Sequence, residues 1–253
     1  MIVFAQLSDT HLDLSGRRAE RVARVMDHLN GLRLDAVLVT GDITDHGEPA
    51  EYEQARKLLL ASPHPVLICP GNHDVRGAFR EVLLDEPPHG GPVNRLHRIA
   101  GAAFAMCDST VPGKNHGFLD DETIAWLDRQ LGRAPGEPAF VCFHHPPAPL
   151  GIPRVDEIRQ FGEERLAAVI ERHPQVVAVL CGHYHTAAAT TFAGRPLLVA
   201  PGVVSTLRLP VERGDTEKGD TESGDIADYD APPGMAFHIL DDEGRLTTHY
   251  RTV

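Results

Sequence analysis

The chain has few cysteines and no long apolar run, and these absences exclude several classes of protein. Its four cysteines are Cys69, Cys107, Cys142 and Cys181, and none forms a C-x-x-C pair. Each lies in or at the end of an apolar run, which favours buried free thiols in a reducing compartment. No apolar run approaches the length of a membrane span. The opening segment "MIVFAQLSDTH" is typical of a strand and not of a signal peptide. We therefore expect a cytoplasmic protein.

Basic residues are also scarce. The chain has 24 Lys and Arg against 36 Asp and Glu, a formal net charge of -12, and no block of basic residues. A long nucleic acid is therefore not expected as the main partner, because phosphate contacts dominate such binding. A small phosphorylated substrate is still allowed, because a bound cation can reverse the local field.

Apolar runs that alternate with helical patterns predict an α/β layered domain with mostly parallel central strands. The length of 253 residues suits one such domain, so we expect residues 1–253 to form a single domain. The predicted strands cover residues 2–7, 36–39, 66–69, 103–107, 140–143, 176–180, 197–200, 236–240 and 247–250. The predicted helices cover residues 18–29, 49–60, 78–84, 121–131 and 163–172.

One segment interrupts this alternation. Residues 214–225 read "GDTEKGDTESGD", a short tandem repeat of polar residues and glycine that cannot bury apolar area. We expect a mobile acidic loop there, inside a lid or insertion over residues 207–232. The flanks of the loop, residues 207–211 and 226–233, could form a small hairpin.

Five of the predicted strands end in polar segments, which read "SDTHL", "TGDITDHG", "PGNHD", "FHHPP" and "CGHYHT". The carboxyl ends of parallel strands in an open α/β sheet face one crevice, so these segments are expected to converge. Asp9 and His11 are two residues apart, as are His183 and His185. In extended backbone such residues point the same way, so each pair is expected to face one metal. The candidate ligands are Asp9, His11, Asp42, Asn72, His73, His144, His145, His183 and His185.

The residue types of this set indicate metal chemistry. Mixed imidazole, carboxylate and amide oxygen ligands suit first-row divalent metals such as Mn, Fe, Zn or Co. So many ligands are too many for one ion but suit two, and a carboxylate such as Asp42 can bridge them. A pair of ions can lower the pKa of bound water towards about 7, and it can hold both oxygens of an in-line displacement at phosphorus.

The ordered motifs D-x-H, G-D, G-N-H-D, H and G-H-x-H resemble those of the calcineurin-like metallophosphoesterases over residues 9–185. The sequences of these motifs are most similar to those of bacterial class III cyclic nucleotide phosphodiesterases and their glycerophosphodiesterase relatives. This resemblance implies a four-layer α/β/β/α sandwich and a two-metal hydrolase. It also implies that the segment after Thr206 shapes substrate choice and helps to build a homodimer.

The resemblance further implies roles for individual residues. One metal would be held by Asp9, His11, Asp42 and His185, and the other by Asp42, Asn72, His144 and His183. His73 would be the catalytic residue that faces the leaving group. The residues expected near the substrate are Asn72, His73, Arg76 and His145. Asp74 is expected either to orient His73 or to cap its loop.

The function that the resemblance favours is hydrolysis of small phosphodiesters by a metal-bridging hydroxide. The substrates would be 3',5'-cyclic nucleotides or glycerophosphodiesters. A phosphomonoesterase or nucleotide pyrophosphatase on the same scaffold remains open, because both would use the same metals. The complete ligand set argues against a non-catalytic scaffold, and the acidic composition argues against a nuclease of long chains.

Overall fold

The computed structural model describes residues 1–213 and 226–253. The acidic loop predicted at residues 214–225 lies outside the described residues and stays a prediction. In chain order the strands β1 to β15 are Ile2–Leu7, Ala36–Thr40, Val66–Cys69, Arg95–Ile99, Ala102–Met106, Gly117–Phe118, Ala139–Cys142, Gln160–Phe161, Val176–Cys181, Ala188–Phe192, Arg195–Val199, Thr206–Leu207, Ala227–Asp228, Gly234–Leu240 and Leu246–Thr252. The helices α1 to α6 are Gly16–Asn30, Pro49–Leu59, Arg76–Ala78, Asp121–Gly132, Pro153–Asp156 and Glu163–Arg172.

Two larger sheets form the centre of the molecule. One has the strand order β15-β14-β1-β2-β3, and the other has the order β10-β11-β9-β7-β5-β4. The pairs β1–β2, β2–β3, β5–β7, β7–β9 and β9–β11 are parallel, whereas β14, β15, β10 and β4 pair antiparallel with their neighbours. The predicted α/β class with mostly parallel central strands is therefore confirmed.

The sheets pack face to face through aromatic side chains. Phe4 of the first sheet lies 5.0 Å from Phe104 and 4.9 Å from Phe140 of the second sheet, measured between ring centroids. Helices α1 and α2 cover the outer face of the first sheet, and α4 and α6 cover that of the second. Apolar burial of this kind is the main stabilising term of a fold. The four-layer α/β/β/α sandwich expected from the resemblance is thus observed.

The strands that end in the polar motifs do not belong to one sheet. Strands β1, β2 and β3 lie in the first sheet, and β7 and β9 lie in the second. The motifs still converge, because the carboxyl ends of both sets of parallel strands meet at one edge of the sandwich, where backbone contacts join them. The N–H groups of Val203 and Val204, which follow β11 of the second sheet, donate to the carbonyls of Ser8 and Asp9, which follow β1 of the first, each at 3.0 Å.

Several elements differ from the sequence predictions. The helix predicted at residues 78–84 begins as α3 and continues as a π-helical turn, Phe79–Leu83. The edge strands β4 and β10 were not predicted, because their largely polar, solvent-facing side chains resemble those of loops. The segments on either side of residues 214–225 form a short antiparallel ladder, β12 with β13, and a 3₁₀ turn follows β12 at Pro210–Arg213. None of the helices in the described parts of the chain is both long and apolar enough to cross a membrane.

Candidate metal centre and the adjoining cavity

Five of the candidate ligand residues have left-handed backbone. The φ angles are 55° at Asp9, 42° at His11, 48° at Asp42, 71° at His183 and 52° at His185. The extended backbone that was expected for the two i, i+2 pairs is therefore wrong. Positive φ is unfavourable for residues with a Cβ, and such residues cluster at functional sites. The chain turns sharply at each motif. Asp9 and His11 still face one group, as expected, whereas His183 and His185 face different groups.

Glycines allow the strand ends to approach one another. A Cβ atom on Gly71 would lie 2.2 Å from Oδ1 of Asp42, and one on Gly182 would lie 1.8 Å from Oγ of Ser8. Both distances are far below van der Waals contact, so only glycine fits at these positions. The "PGNHD" and "CGHYHT" segments therefore contain glycine because another strand end lies against them.

Asp9, His11 and His185 form the first ligand group. Their ligand atoms all lie within 4.8 Å of one another. Nε2 of His185 is 3.3 Å from Nε2 of His11 and 3.3 Å from Oδ1 of Asp9. The group joins side chains from the ends of β1 and β9, which belong to different sheets.

His144, His145 and His183 form the second ligand group, again within 4.8 Å of one another. Nε2 of His144 is 3.2 Å from Nδ1 of His183. The amide oxygen of Asn72 adjoins this group, because Nε2 of His145 donates to it at 3.0 Å. His183 and His185 thus belong to different groups, although they are only two residues apart.

Asp42 lies between the two groups. Its Oδ2 atom is 3.4 Å from Nε2 of His11 in the first group and 3.2 Å from Nε2 of His144 in the second. Its Oδ1 atom accepts the backbone N–H of His73 at 2.9 Å. One carboxylate therefore faces both groups, as a bridging ligand must.

The outer ring nitrogens of His11 and His144 are held by neighbouring oxygens. Nδ1 of His11 donates to Oδ1 of Asp45 at 2.9 Å, and Nδ1 of His144 donates to the carbonyl of Thr40 at 2.8 Å. Because a carboxylate or carbonyl can only accept, these contacts place the proton on Nδ1 and the lone pair on the inward Nε2. Outer contacts of this kind orient histidines that ligate metals. The donor set therefore fits two divalent ions.

The electrostatics of the buried groups also favour cations. Burial raises the pKa of Asp9 and lowers that of His185 to about 4. Burial opposes the charged form of Asp42 as well, but contact with His144 outweighs it and holds the pKa of Asp42 well below its usual range. Burial lowers the pKa of His144, yet attraction to Asp42 raises it overall to about 9. A metal ion bound to His144 would displace that proton.

A cavity of about 570 Å³ lies beside the centre and is lined in part by Asp45 and Asn72, which contact the two groups. His73 lines this cavity, and 40% of its side chain is exposed. Nδ1 of His73 donates to the carbonyl of Asp45 at 2.8 Å, so the ring is held from one side only. Asn72 and Arg76 line the same cavity. A cavity of this volume lies within the usual range of about 300–1,000 Å³ for small-molecule sites.

The carboxylate of Asp74, the residue after His73, is engaged by the protein itself. Asp74 accepts hydrogen bonds from the backbone of Gly71, Ile43 and Thr44 and from the hydroxyls of Thr44 and Tyr52. Of its two expected roles, the contacts favour the loop cap, which joins the ends of β2 and β3.

The guanidinium of Arg76 is also engaged by the protein. It contacts Asp108 at 2.8 Å and donates to Thr110 and to the carbonyl of Gly90. These contacts use all three guanidinium nitrogens, although the side chain borders the cavity. A role for Arg76 in substrate binding stays a prediction.

Asp45 is the residue at the centre that the sequence prediction missed. Its carboxylate contacts His11 and, through Oδ2 at 2.9 Å, Nη1 of Arg18. Its carbonyl accepts from His73. Contact with His11 and Arg18 outweighs burial and holds the pKa of Asp45 far below its usual range. Its position three residues after Asp42, in the same turn, was the available signal.

Comparison with known sequences identifies the family. A model of the calcineurin-like phosphoesterase family matches residues 2–187. A glycerophosphodiester phosphodiesterase, GpdQ, of Enterobacter lignolyticus is 37% identical, with 80% of this chain and 78% of that protein aligned. A cAMP/cGMP dual specificity phosphodiesterase of Mycobacterium tuberculosis is 34% identical, with coverages of 85% and 71%. The 3',5'-cyclic adenosine monophosphate phosphodiesterase CpdA of Escherichia coli K12 is 30% identical, with coverages of 78% and 74%.

Comparison with solved structures gives the same fold. A dimetal phosphatase from Danio rerio superposes with a TM-score of 0.75 at 13% identity, over 99% of this chain and 96% of that chain. The polar motifs, the two facing ligand groups and the sequence relatives all indicate the same family. This chain belongs to the calcineurin-like phosphoesterase family and is a phosphodiester hydrolase.

Proposed function

We propose that the chain hydrolyses small phosphodiesters at a centre that holds two divalent ions. The observation that carries this proposal is the position of Asp42, whose Oδ2 lies 3.4 Å from His11 Nε2 and 3.2 Å from His144 Nε2. Two ions that share this carboxylate would account for both contacts.

In this proposal the two ions share Asp42, and their other ligands are separate. The first would be held by Asp9, His11, Asp42 and His185, and the second would be held by Asp42, Asn72, His144 and His183. The imidazole and carboxylate donors favour Mn, Fe, Zn or Co. When bound, the ions supply a water of lowered pKa and positive charge towards the oxygens of the phosphate.

The residues around the ions perform the remaining steps. His73 lines the cavity, and its Nδ1 is held by the carbonyl of Asp45, so Nε2 is available to the substrate. We assign to protonated His73 the donation of a proton to the departing alkoxide. Asn72 would contact the phosphate while it ligates the second ion. His145 would keep the Asn72 amide in place through the contact at 3.0 Å.

The substrate class follows from the relatives and from the cavity. The relatives described above are named as phosphodiesterases of cyclic nucleotides or of glycerophosphodiesters. The cavity beside His73 can hold the leaving group of either kind of substrate. We therefore propose 3',5'-cyclic nucleotides or glycerophosphodiesters as substrates. A phosphomonoesterase or nucleotide pyrophosphatase is the second candidate, because the same ligand set would serve it.

Three further proposals concern the whole chain. The buried, free state of all four cysteines supports a cytoplasmic location. The long-range pairing of β1 with β14, which joins the two ends of the chain, supports a single domain over residues 1–253. The short β12–β13 ladder supports a lid or insertion at residues 207–232, through which a homodimer could form.

The test compares substrates and metal content. Protein reconstituted with Mn²⁺ should hydrolyse the diester bis(p-nitrophenyl) phosphate faster than the monoester p-nitrophenyl phosphate. It should also hydrolyse cyclic AMP or a glycerophosphodiester. Asp42→Ala should lose both ions together with nearly all activity. Metal content of two ions per chain with normal turnover in Asp42→Ala would refute the two-ion centre. Faster turnover of the monoester would favour the second candidate.

A further inference from the structure

Gln6 lies fully buried in β1, beneath the metal centre, and its side-chain amide touches two other strand ends. Its Nε2 atom donates to Oγ1 of Thr40 at the end of β2 and to the carbonyl of Cys181 at the end of β9, each at 2.9 Å. Thr40 is two residues before Asp42, and Cys181 is two residues before His183. One amide therefore connects three motif-bearing strands of both sheets.

The contact with Thr40 continues to a candidate ligand. The carbonyl of Thr40 accepts the Nδ1 proton of His144 at 2.8 Å, and it also accepts the hydroxyl of Ser8 at 2.9 Å. The hydroxyl of Thr40, which binds Gln6, in turn donates to the carbonyl of Leu7 at 3.2 Å. The residue that orients the ring of His144 is thus itself held by the Gln6 amide.

His238 fixes the orientation of this amide. Because the carbonyl of Cys181 can only accept, the NH₂ group of Gln6 must face it, and Oε1 then faces Nε2 of His238 at 3.0 Å. Nε2 of His238 therefore carries the proton, and its Nδ1 accepts from the hydroxyl of Thr248 at 2.9 Å. Hydrogen bonds therefore link Thr248 of β15 through His238 and Gln6 to the hydroxyl of Thr40, and the carbonyl of the same residue accepts from His144.

Stability alone does not explain such a network. When both partners of a buried hydrogen bond are replaced by apolar groups of the same shape, the free energy of unfolding often changes little. We propose that Gln6 is a positioning residue of the two-ion centre: it holds the ends of β1, β2 and β9 at the spacing that sets the first and second ligand groups. This inference rests on the proposed function.

The test uses Co²⁺ as the probe and two variants. Gln6→Met removes the amide at similar length, and Thr40→Val removes the hydroxyl that Gln6 binds but keeps the side-chain shape and the carbonyl that holds His144. In both, Co²⁺ affinity for at least one of the two positions should fall about tenfold or more, as it does for groups that orient metal ligands. The visible absorption of the Co²⁺-loaded protein should change as well, and kcat for bis(p-nitrophenyl) phosphate should fall more than KM changes.

Thr123→Val is the matched control. Oγ1 of Thr123 is buried and accepts from Nδ2 of Asn94 at 2.9 Å, the same distance and the same chemistry, but in α4 and without contact to a candidate ligand. Its Co²⁺ affinity and spectrum should match those of the wild type. Folding of each variant is checked by circular dichroism and urea unfolding. If Gln6→Met does not fold, Thr40→Val decides the question.

The outcomes separate the two claims. Wild-type protein that binds two Co²⁺ ions, with folded variants of unchanged affinity and spectrum, overturns the positioning role and leaves the proposed function intact. Wild-type protein that binds fewer than two Co²⁺ ions overturns both. A loss of thermal stability without any change at the Co²⁺ centre also counts against the inference, because it assigns the network to folding alone.

Discussion

At the floor of the site the side chains of Asp9 and His144 are fully buried, whereas at its mouth 40% of the His73 side chain is exposed to the cavity. The floor residues contact one another or neighbouring protein oxygens, and their lone pairs face inward. His73 is held by one backbone carbonyl. The difference indicates a division of work: the floor is shaped to hold ions, and the mouth is shaped to meet a substrate that comes and goes.

The largest effect is expected at the floor. Asp9→Asn removes one of the two carboxylates near the first ligand group. Loss of an ion removes several kcal/mol of charge stabilisation together with the nucleophile, so turnover of bis(p-nitrophenyl) phosphate should fall at least about a thousandfold. Elemental analysis should show fewer than two ions per chain. Full metal content with wild-type turnover would make Asp9 a structural residue.

A smaller and selective effect is expected at the mouth. His73→Ala should slow hydrolysis of a diester with an alkoxide leaving group about a hundredfold or more, because the departing oxygen loses its proton donor. A nitrophenolate leaves without a proton, so its hydrolysis should change much less, and metal content should stay at two ions. His46→Ala is the matched control, because His46 lines the same cavity but contacts Glu51. Equal losses with both leaving groups would exclude the general-acid role.

Asp45 lies between the floor and the mouth, and its variant should show an intermediate effect. Asp45→Asn weakens the acceptor that orients His11, so the affinity for the first ion should fall by about 10–100-fold, as measured by titration with Mn²⁺. Asp13→Asn is the control, because Asp13 contacts Arg18 at 3.3 Å but not His11. Identical affinities in the two variants would show that the contact between Asp45 and His11 has no influence on the ions.

The smallest effect lies behind the floor and concerns stability. Burial lowers the pKa of His238 to about 3, so this histidine is neutral in the fold but titrates near 6.5 in the unfolded chain. The contribution of neutral, buried His238 to the free energy of unfolding is fully present above pH 6.5 and is lost as the pH falls towards 3. At pH 5 the loss amounts to about 2 kcal/mol.

The check is urea unfolding of metal-free wild type and His238→Gln at pH 7 and pH 5. The wild type should lose about 2 kcal/mol more than the variant, because only the wild type must keep a neutral histidine against protonation. Parallel losses in the two proteins would contradict the lowered pKa of His238.

The sequence was sufficient for the strands that are apolar throughout and for the motifs at their ends. Strands β1 and β3 and helix α6 have the predicted bounds, because most of their buried residues are the apolar residues of the sequence. The edge strand β10 was missed because its exposed Thr190 and Thr191 carry no alternating pattern. For the site, the residue types revealed the metal chemistry. The left-handed backbone and the outer contacts of Asp45 and Thr40 depend on neighbours from other strands, which a linear pattern does not contain.

The glycines of the motifs have a consequence for related sequences. At Gly71 a Cβ would lie 2.2 Å from Oδ1 and 2.3 Å from the backbone nitrogen of Asp42, which is 29 residues away at the end of another strand. Because that backbone nitrogen is present whatever residue stands at position 42, the steric demand at position 71 persists even in a lineage that loses the carboxylate. Position 71 should therefore remain glycine among relatives whatever residue stands at position 42, and an alignment in which alanine is common at position 71 would contradict this demand.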